Sequence, residues 1–130
     1  MDGRAEDFLI LVVEDDLGVS GLIADLLEAE LSVDVAVAAD GVVGLALARR
    51  LRPDVVLLDV NLPRLSGLAL ARQLKADPTT LAIPIVAVTS ESRAKTLAAG
   101  CDDHLDKPFD LDELVAKVAA HLHQSRERAA

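Results

Sequence analysis

The feature that most constrains the fold of this chain is the alternation of short, continuous apolar runs with segments of helical period. Four strong apolar runs occupy residues 8–13, 33–38, 55–58 and 85–88, and a weaker one lies near His104 and Leu105. Strands that are apolar throughout, rather than at every second residue, are typical of a parallel sheet covered by helices on both faces. The sequence therefore predicts a doubly wound parallel α/β fold.

Segments of helical period separate the apolar runs. They cover residues 19–27, 42–51, 68–74 and 111–122, where apolar side chains recur at helical spacing or the composition favours a helix. Asp110 followed by Glu113 forms a capping-box signal, and Ser66 is placed to cap the third helix. The chain of 130 residues suits one domain, which we place at residues 8–123. An N-terminal tail covers residues 1–7, and a polar C-terminal tail over residues 124–130 is expected to fray.

The charge balance narrows the classes of partner. Lys and Arg number 13 against 22 Asp and Glu, a formal net charge of −9, which argues against binding to nucleic acid because that affinity depends on cations that neutralise phosphates. One cysteine permits no internal disulfide. The sequence has neither a signal peptide nor an apolar run long enough to span a membrane. We therefore expect a cytoplasmic protein with no membrane partner.

Polar residues follow four of the five predicted strands. Glu14 and Asp15 come after the first strand, Asp59 after the third, Thr89 after the fourth and Lys107 after the fifth. Open parallel sheets bind ligands beyond the carboxyl ends of their strands. If the first and third strands are neighbours, their carboxylates repel each other by several kcal/mol, so that either one holds a proton or a cation lies between them. Hard oxygen ligands of this kind favour Mg²⁺.

Four motifs in order resemble the receiver domain of bacterial response regulators, the phosphoacceptor unit of two-component and phosphorelay signalling. They read LVVEDD at 11–16, LLDVNLP at 57–63 with a glycine at 67, VT at 88–89, and GCDDHLDKPF at 100–109. The match covers the chain from about residue 9 to 122. It implies a flavodoxin-like sheet in the order 2-1-3-4-5 with five helices.

The resemblance also implies a role for each strand-end residue. Asp59 is the expected acceptor of a phosphoryl group from a sensor histidine kinase or a histidine phosphotransfer protein. Asp15, Asp59 and the backbone carbonyl of Asn61 are the expected Mg²⁺ ligands, with Glu14 supporting through water. Thr89 and Lys107 are expected to bind the phosphoryl group, and the bond from Lys107 to the following proline is usually cis in this family.

Two further pairs follow from the resemblance. Thr89 and His104 occupy the positions of a conformational switch, in which the residue at 104 turns inward when Thr89 moves toward the phosphoryl group. His104 replaces an aromatic residue that is usual there. An imidazole could make the same rotamer change and could also titrate near neutral pH, but we expect a partly exposed ring without a pH role. Asn61 and Glu91 occupy positions that tune attack by water, and their polar side chains predict relatively fast self-dephosphorylation.

The sequence departs from the family in its fourth helix. Thr89 and Lys107 are 18 residues apart, about one helical turn fewer than is usual. This helix is therefore predicted to be short, over 92–99, with Ala94, Leu97 and Ala98 facing the sheet. Receivers commonly signal and dimerise through this face, so the usual output surface and the usual homodimer are both in question.

Other residues receive no active role. Cys101 is expected to be a small buried thiol, and His121 and His123, which lie on the last helix, have no partner at metal-binding spacing. A kinase partner is expected to dock over the first helix, near Leu17 and Val19, and over the loop at 108–109. Too few residues follow the last helix for an effector unit, so we expect output through contacts with an unknown downstream protein.

Two alternatives remain open from the sequence alone. One is an aspartyl-nucleophile phosphatase, an enzyme that would turn over small phosphate esters. Those enzymes place a second Asp two residues after the nucleophile, where this chain has Asn61. The other is a receiver-shaped interaction module that is never phosphorylated. On the leading interpretation the chain is no enzyme in the ordinary sense, because it catalyses only its own phosphorylation and dephosphorylation.

Overall fold

Five strands alternate with five helices along the chain in this computed structural model, which describes residues 7–129. The strands are β1 Leu9–Val13, β2 Asp34–Ala38, β3 Val55–Leu58, β4 Ile85–Thr89 and β5 Asp103–Asp106. The helices are α1 Leu17–Leu31, α2 Gly41–Leu51, α3 Gly67–Ala76, α4 Arg93–Ala98 and α5 Leu111–Ala129. Among the described helices, none combines the length and the apolar character needed to cross a lipid bilayer.

The sheet has the predicted topology. All the strand pairs are parallel, and the strand order is β2-β1-β3-β4-β5. The chain therefore moves to one side of β1 to form β2 and then crosses to its other side to form β3. The carboxyl ends of β1 and β3 lie side by side at this reversal of strand order, which is where open α/β sheets form their ligand crevice.

Both faces of the sheet are buried, which explains the continuous apolar strands. Alternate residues of a strand point to opposite faces, so Leu11 and Val13 join one core cluster while Ile10 and Val12 join the other. The first cluster includes Leu58 and the α3 residues Leu70 and Leu74, and the second includes residues of α1 and α5, namely Ile23, Leu27, Leu114 and Val118. The two layers hold the strand ends in fixed positions.

Polar side chains cap the N-termini of helices that start near the carboxyl edge of the sheet. The Asp16 carboxylate accepts hydrogen bonds from the N–H groups of Gly18 and Val19 at the start of α1. Ser66 accepts from the N–H of Ala69 and caps α3, as predicted. Each such cap satisfies backbone donors that the helix itself leaves unpaired.

The fourth helix is short, as predicted, but its buried face is different. Ala94 and Ala98 are exposed and Leu97 is 41% exposed, so the predicted inward face is wrong. Thr96 and Ala99 are buried instead. The burial of Thr96 is possible because its hydroxyl has two polar partners, and apolar character alone therefore misplaces the helix face.

The two predicted tails have different outcomes. All of the N-terminal tail except Asp7 lies outside the described residues. At the other end, α5 continues to Ala129, so residues 124–129 of the segment predicted to fray are helical. Residues 123–129 contain no Gly or Pro and are rich in residues that favour a helix, such as Gln, Arg, Glu and Ala.

Candidate functional site

The sheet extends its hydrogen bonding one residue beyond three of its strands, and this positions the polar side chains. Glu14 N–H donates to the Ala38 carbonyl at 3.0 Å, and Asp59 N–H donates to the Val13 carbonyl at 3.0 Å. Lys107 N–H donates in the same way to the Thr89 carbonyl at 3.1 Å. The residues after β1, β3 and β5 are therefore fixed to neighbouring strands at one edge of the sheet.

Three carboxylates meet at this edge. Glu14, Asp15 and Asp59 each offer a carboxylate oxygen, and these three oxygens all lie within 4.8 Å of one another. Glu14 and Asp59 are buried, with 6% and 7% of their surface exposed, whereas Asp15 is exposed. A group of hard oxygen atoms that is open to solvent on one side fits a divalent cation that keeps some of its water. The cluster predicted from the strand order is present and could hold a metal ion.

A lysine ammonium partly neutralises the cluster. Lys107 Nζ lies 2.9 Å from Asp59 Oδ2 and 3.4 Å from Glu14 Oε1. Burial lowers the pKa of Lys107, but the hydrogen bond and the negative charge of Asp59, together with the charge of Glu14, outweigh this effect and raise it. Lys107 therefore stays cationic. The bond that follows it, to Pro108, is cis, as the resemblance implies.

Burial has the opposite consequence for Glu14. Loss of solvent raises the pKa of this carboxyl, and the neighbouring Asp15 and Asp59 carboxylates raise it further. The Asp16 N–H, which donates to Glu14 Oε2 at 3.1 Å, and the charge of Lys107 oppose that shift. Burial is the largest of these effects, so the pKa of Glu14 is raised mainly by loss of solvent and only secondarily by its acidic neighbours.

Asp59 is held at both carboxylate oxygens and at its backbone. Oδ2 accepts from Lys107, and Oδ1 accepts from the backbone N–H of Asn61 at 3.1 Å. Each oxygen of a carboxylate can accept about two hydrogen bonds or metal contacts, so both retain capacity for another ligand. The first residue of α3, Gly67, packs so closely that a Cβ there would lie 2.3 Å from the Asp59 carbonyl oxygen.

Beside the cluster lies a small pocket that is partly open to solvent. Its polar lining comes from Glu14, Asp59 and Lys107, and its apolar lining includes Val12 and Phe109. An apolar wall reduces the access of water to the charged groups and strengthens their interaction. The arrangement suits a small anion held between the lysine and a cation bound by the carboxylates.

Thr89 is the last residue of β4, and Glu91 follows it two residues later at the same edge of the sheet. Thr89 is fully buried, and its Oγ1 accepts a hydrogen bond from the Glu91 N–H at 3.2 Å, which leaves its own hydrogen to donate. The Glu91 carboxylate contacts Lys95 Nζ and the Ser92 N–H, both at 3.3 Å. The Ser92 N–H, followed by Lys95, lowers the pKa of Glu91. Glu91 is thus an anion engaged with the start of α4.

The structure places His104 differently from the expectation of a partly exposed ring. The residue is 3% exposed, Nδ1 lies 2.8 Å from Thr96 Oγ1, and Nε2 lies 2.7 Å from Asp106 Oδ1. The ring can be buried because both nitrogens have polar partners. The sequence analysis did not identify Thr96 and Asp106 as the hydrogen-bonding partners of this ring. The signal that could have indicated Thr96 is its position, as a polar residue near the middle of the short helix before β5.

The remaining candidates fall outside the cluster. Cys101 is buried, and burial, with a smaller effect of the Asp102 carboxylate, raises the pKa of its thiol to about 11, as expected for an inert group. His121 Nε2 lies 3.1 Å from Asp103 Oδ2. On α1, Leu17 is 71% exposed, and Val19 is partly buried and packs against the core.

Comparison with known proteins agrees with this geometry. Residues 10–119 match the family model described as the response regulator receiver domain. The DNA-binding response regulator MtrA of Mycobacterium tuberculosis strain H37Rv is 39% identical over 125 residues, which cover 93% of this chain and 53% of MtrA. The DNA-binding dual master transcriptional regulator RpaA of Synechocystis is 37% identical over 120 residues, which cover 89% of this chain and 49% of RpaA. The chain thus spans about half the length of these curated relatives.

Solved structures give the same result. The receiver domain of the sensor histidine kinase PA1611 from Pseudomonas aeruginosa, solved with a magnesium ion coordinated in its active-site cleft, superposes with a TM-score of 0.79 at 31% identity. The match covers 90% of this chain and 98% of that one. The receiver domain of the Francisella response regulator 1452 gives a TM-score of 0.84 at 28% identity, covering 92% and 99%.

Proposed function

Because this chain belongs to the response regulator receiver domain family, we propose that Asp59 accepts a phosphoryl group from a phosphohistidine. The observation that carries this proposal is the meeting of three carboxylates and the Lys107 ammonium at the carboxyl edge of the sheet. A buried carboxylate with spare acceptor capacity on both oxygens, next to a cation, is suited to attack a phosphoryl group and to retain the product.

In the proposed step, an Asp59 carboxylate oxygen attacks the phosphorus atom in line with the bond to the donor imidazole. The new O–P bond forms as the P–N bond breaks, and the imidazole nitrogen keeps the electron pair and takes up a proton. Lys107, now 2.9 Å from Asp59 Oδ2, moves its hydrogen bond to a phosphoryl oxygen. The Thr89 hydroxyl donates to another, so both residues neutralise charge on the group being transferred.

We propose that the metal is Mg²⁺, held by the carboxylates of Asp15 and Asp59 and by the backbone carbonyl of Asn61, with Glu14 acting through water. The chemistry of the donors supports this choice, since Mg²⁺ prefers oxygen ligands and keeps several water molecules. When bound, the ion would supply positive charge to the phosphoryl oxygens. The Mg²⁺ ion reported in the related P. aeruginosa receiver domain supports the same assignment.

The lifetime of the phosphoryl group is proposed to depend on Asn61 and Glu91. Asn61 is exposed and two residues from the acceptor, so its amide can position an attacking water molecule. Glu91 contributes less than the sequence suggests, because its carboxylate is engaged with Lys95 at 3.3 Å. Thr89 and His104 are proposed as the switch. Catalysis by this domain is confined to its own phosphorylation and dephosphorylation.

The proposed donors are a sensor histidine kinase or a histidine phosphotransfer protein that docks on α1. Leu17 and Leu22 are 71% and 56% exposed on this helix. Gly21 lies between them, and a Cβ built there would meet nothing within 4 Å, so a partner helix can approach closely. Every charged residue of α1 is acidic, so the partner surface is expected to carry basic residues.

We propose that output runs through protein contacts. The DNA-binding names of MtrA and RpaA describe proteins about twice as long as the matched segment. A net charge of −9 disfavours DNA binding by this segment itself.

Incubation with acetyl phosphate followed by intact-protein mass spectrometry tests the proposal. The expected result is one added phosphoryl group in the presence of Mg²⁺, and none in its absence or in Asp59→Asn. Asp25→Asn, which alters an exposed carboxylate on α1, is the matched control and should be phosphorylated normally. Absence of an adduct with acetyl phosphate and with phosphorylated kinase would favour an unphosphorylated interaction module. Sustained release of phosphate from a generic phosphate ester would instead favour a phosphatase.

A further inference from the structure

A buried imidazole joins α4 to β5. The His104 side chain is 1% exposed, and its ring nitrogens contact Thr96 Oγ1 and Asp106 Oδ1 at 2.8 and 2.7 Å. The Thr96 hydroxyl also lies 3.0 Å from the carbonyl oxygen of Arg93, one turn earlier in α4. Three hydrogen-bonding contacts thus run from a carboxylate on β5, through the ring and the hydroxyl, to the backbone of α4.

The number of hydrogens available to these contacts depends on the charge of the ring. Surface carboxylates are ionised at neutral pH, and the side chain of Asp106 is 82% exposed. An ionised carboxylate and a backbone carbonyl only accept hydrogen bonds. A neutral imidazole has one N–H and the Thr96 hydroxyl has one O–H, so two hydrogens must serve three contacts.

A protonated ring removes this shortage. Nε2–H then donates to Asp106, Nδ1–H donates to Thr96 Oγ1, and the Thr96 O–H donates to the Arg93 carbonyl. Each contact has its own hydrogen only in this state, and the cation faces a carboxylate at 2.7 Å. At these heavy-atom distances a protonated ring can therefore supply a hydrogen to every contact.

The charged groups around the ring are compatible with a cation there. On β5, Asp106 is the charged contact, and the next residue, Lys107, directs its ammonium to Asp59. On α4, Lys95 Nζ contacts Glu91, and the side chain of Arg93 is exposed. Neither of the two residues that hydrogen-bond to the ring is basic.

On the neighbouring elements β4 and α5, the described residues nearest to His104 are uncharged or contact a different residue of β5. On β4, Ala87 is the register partner of His104 and is uncharged. On α5, Lys117 and His121 both contact the Asp103 carboxylate at 3.1 Å. The side chain of Asp103 projects from the opposite face of β5 to His104, because adjacent strand residues alternate.

We infer that protonation of His104 fastens α4 to β5, which makes the anchoring of α4 sensitive to pH. At low pH the charged ring holds Asp106 and Thr96 together, while Thr96 keeps its bond to its own helix. Loss of the proton removes the charge facing Asp106 and forces the Thr96 hydroxyl to choose between the ring and the Arg93 carbonyl. A helix of six residues has little stability of its own, so these contacts add to the burial of Ala99 and the Ser92 cap in holding α4.

The inference goes beyond phosphoacceptance and does not depend on it, although β5 connects the two regions. Asp106 is the register partner of Thr89, and Lys107 donates to Asp59. In the segment that precedes α4, the Glu91 N–H donates a hydrogen bond to Thr89 Oγ1. If α4 and the phosphorylation site are coupled, a proton on His104 and a phosphoryl group on Asp59 must influence each other reciprocally.

Two measurements on the unphosphorylated protein test the inference at about pH 5.5 and about pH 8.5, on either side of the range where histidine commonly titrates. The first is ¹⁵N NMR of the imidazole nitrogens, which should show both nitrogens of His104 protonated at the lower pH and one at the higher. The second is hydrogen–deuterium exchange of the α4 segment, corrected for the intrinsic pH dependence of exchange. Protection should fall about fivefold at the higher pH, corresponding to the loss of about one hydrogen bond.

Variants separate this device from general effects of pH. His104→Gln keeps a polar side chain that cannot titrate, and Thr96→Val keeps the shape while removing the hydroxyl, so both should flatten the pH dependence of α4 protection. His121→Gln, which changes the histidine paired with Asp103, is the matched control and should preserve it. A neutral ring at both pH values, or equal pH dependence in wild type and Thr96→Val, would overturn the inference. Circular dichroism verifies that each variant is folded.

Discussion

Replacing Gly67 with alanine is expected to destabilise the domain and to disturb the acceptor site together. A Cβ at this position would lie 2.3 Å from the Asp59 carbonyl oxygen and 2.6 Å from both Leu58 Cδ1 and Val60 Cα. Two of these three atoms belong to the backbone immediately after β3. The start of α3 cannot simply move away, because the Gly67 N–H donates to the Val60 carbonyl at 2.8 Å.

The size of the effect follows from these contacts. Forcing an extra methyl group into a packed site costs about 1–3 kcal/mol, and the upper end applies because the obstacle is largely backbone. Alanine recovers at most about 1 kcal/mol through its higher helix propensity. The net loss is therefore about 2 kcal/mol, which lowers the melting temperature of a domain of this size by about 8 °C.

Gly21→Ala is the matched control, since the same substitution there meets open space. A Cβ at Gly21 has nothing within 4 Å, and the residue lies inside α1. We expect a gain of about 0.9 kcal/mol from helix propensity, and hence a higher melting temperature. The two substitutions should change the melting temperature in opposite directions. This difference tests the close packing at Gly67 and not the general tolerance of glycine positions to alanine.

Thermal unfolding followed by circular dichroism measures both variants, and calorimetric titration with Mg²⁺ measures the site. Gly67→Ala should bind the ion more weakly because Asp59 is displaced, while Gly21→Ala should bind it as the wild type does. A Gly67→Ala protein that melts at or above the wild-type temperature would refute the claim that α3 packs directly against the acceptor residue.

Three other predictions concern individual groups. Lys107→Met should retain Mg²⁺ binding but slow phosphorylation by acetyl phosphate about 10²-fold, and an unchanged rate would show that the ammonium does not stabilise the transferred group. The Val43 N–H, with a further contribution from Arg64, lowers the pKa of Asp40 below its unfolded value. This carboxylate therefore contributes stability above about pH 4 that is lost as the pH falls through its folded pKa. In urea unfolding, the free energy of unfolding of Asp40→Asn should fall less steeply with decreasing pH than that of the wild type. Since burial raises the pKa of Cys101 to about 11, iodoacetamide at pH 8 should modify it only after unfolding, and equal rates of labelling in native buffer and in urea would contradict this.

The sheet and the acidic cluster could be predicted because each depends on a local pattern. Continuous apolar runs indicate strands buried on both faces, and such strands place the residues that follow them at one edge. The pairing of β1 with β3, which brings Asp15 toward Asp59, came from the resemblance to a family. Hydrophobic periodicity identifies elements but does not order them.

The environment of His104 could not be predicted, for a different physical reason. A polar side chain is buried only where another element supplies its hydrogen-bonding partners. For His104 these are Thr96 on α4 and Asp106 on β5, eight and two residues away. Thr96 is less hydrophobic than Leu97, so a prediction from hydrophobicity assigned the wrong face of α4 to the core.

We propose that the carboxylate of Asp59, in the site formed with Glu14, Asp15 and Lys107, is the one that accepts the phosphoryl group. Borohydride reduction of the phosphorylated protein converts an aspartyl phosphate to homoserine, and peptide sequencing by mass spectrometry then identifies the position. We expect homoserine at residue 59 after treatment with acetyl phosphate and Mg²⁺, and at no other aspartate. Homoserine at Asp15 or at a surface aspartate, with none at 59, would contradict it.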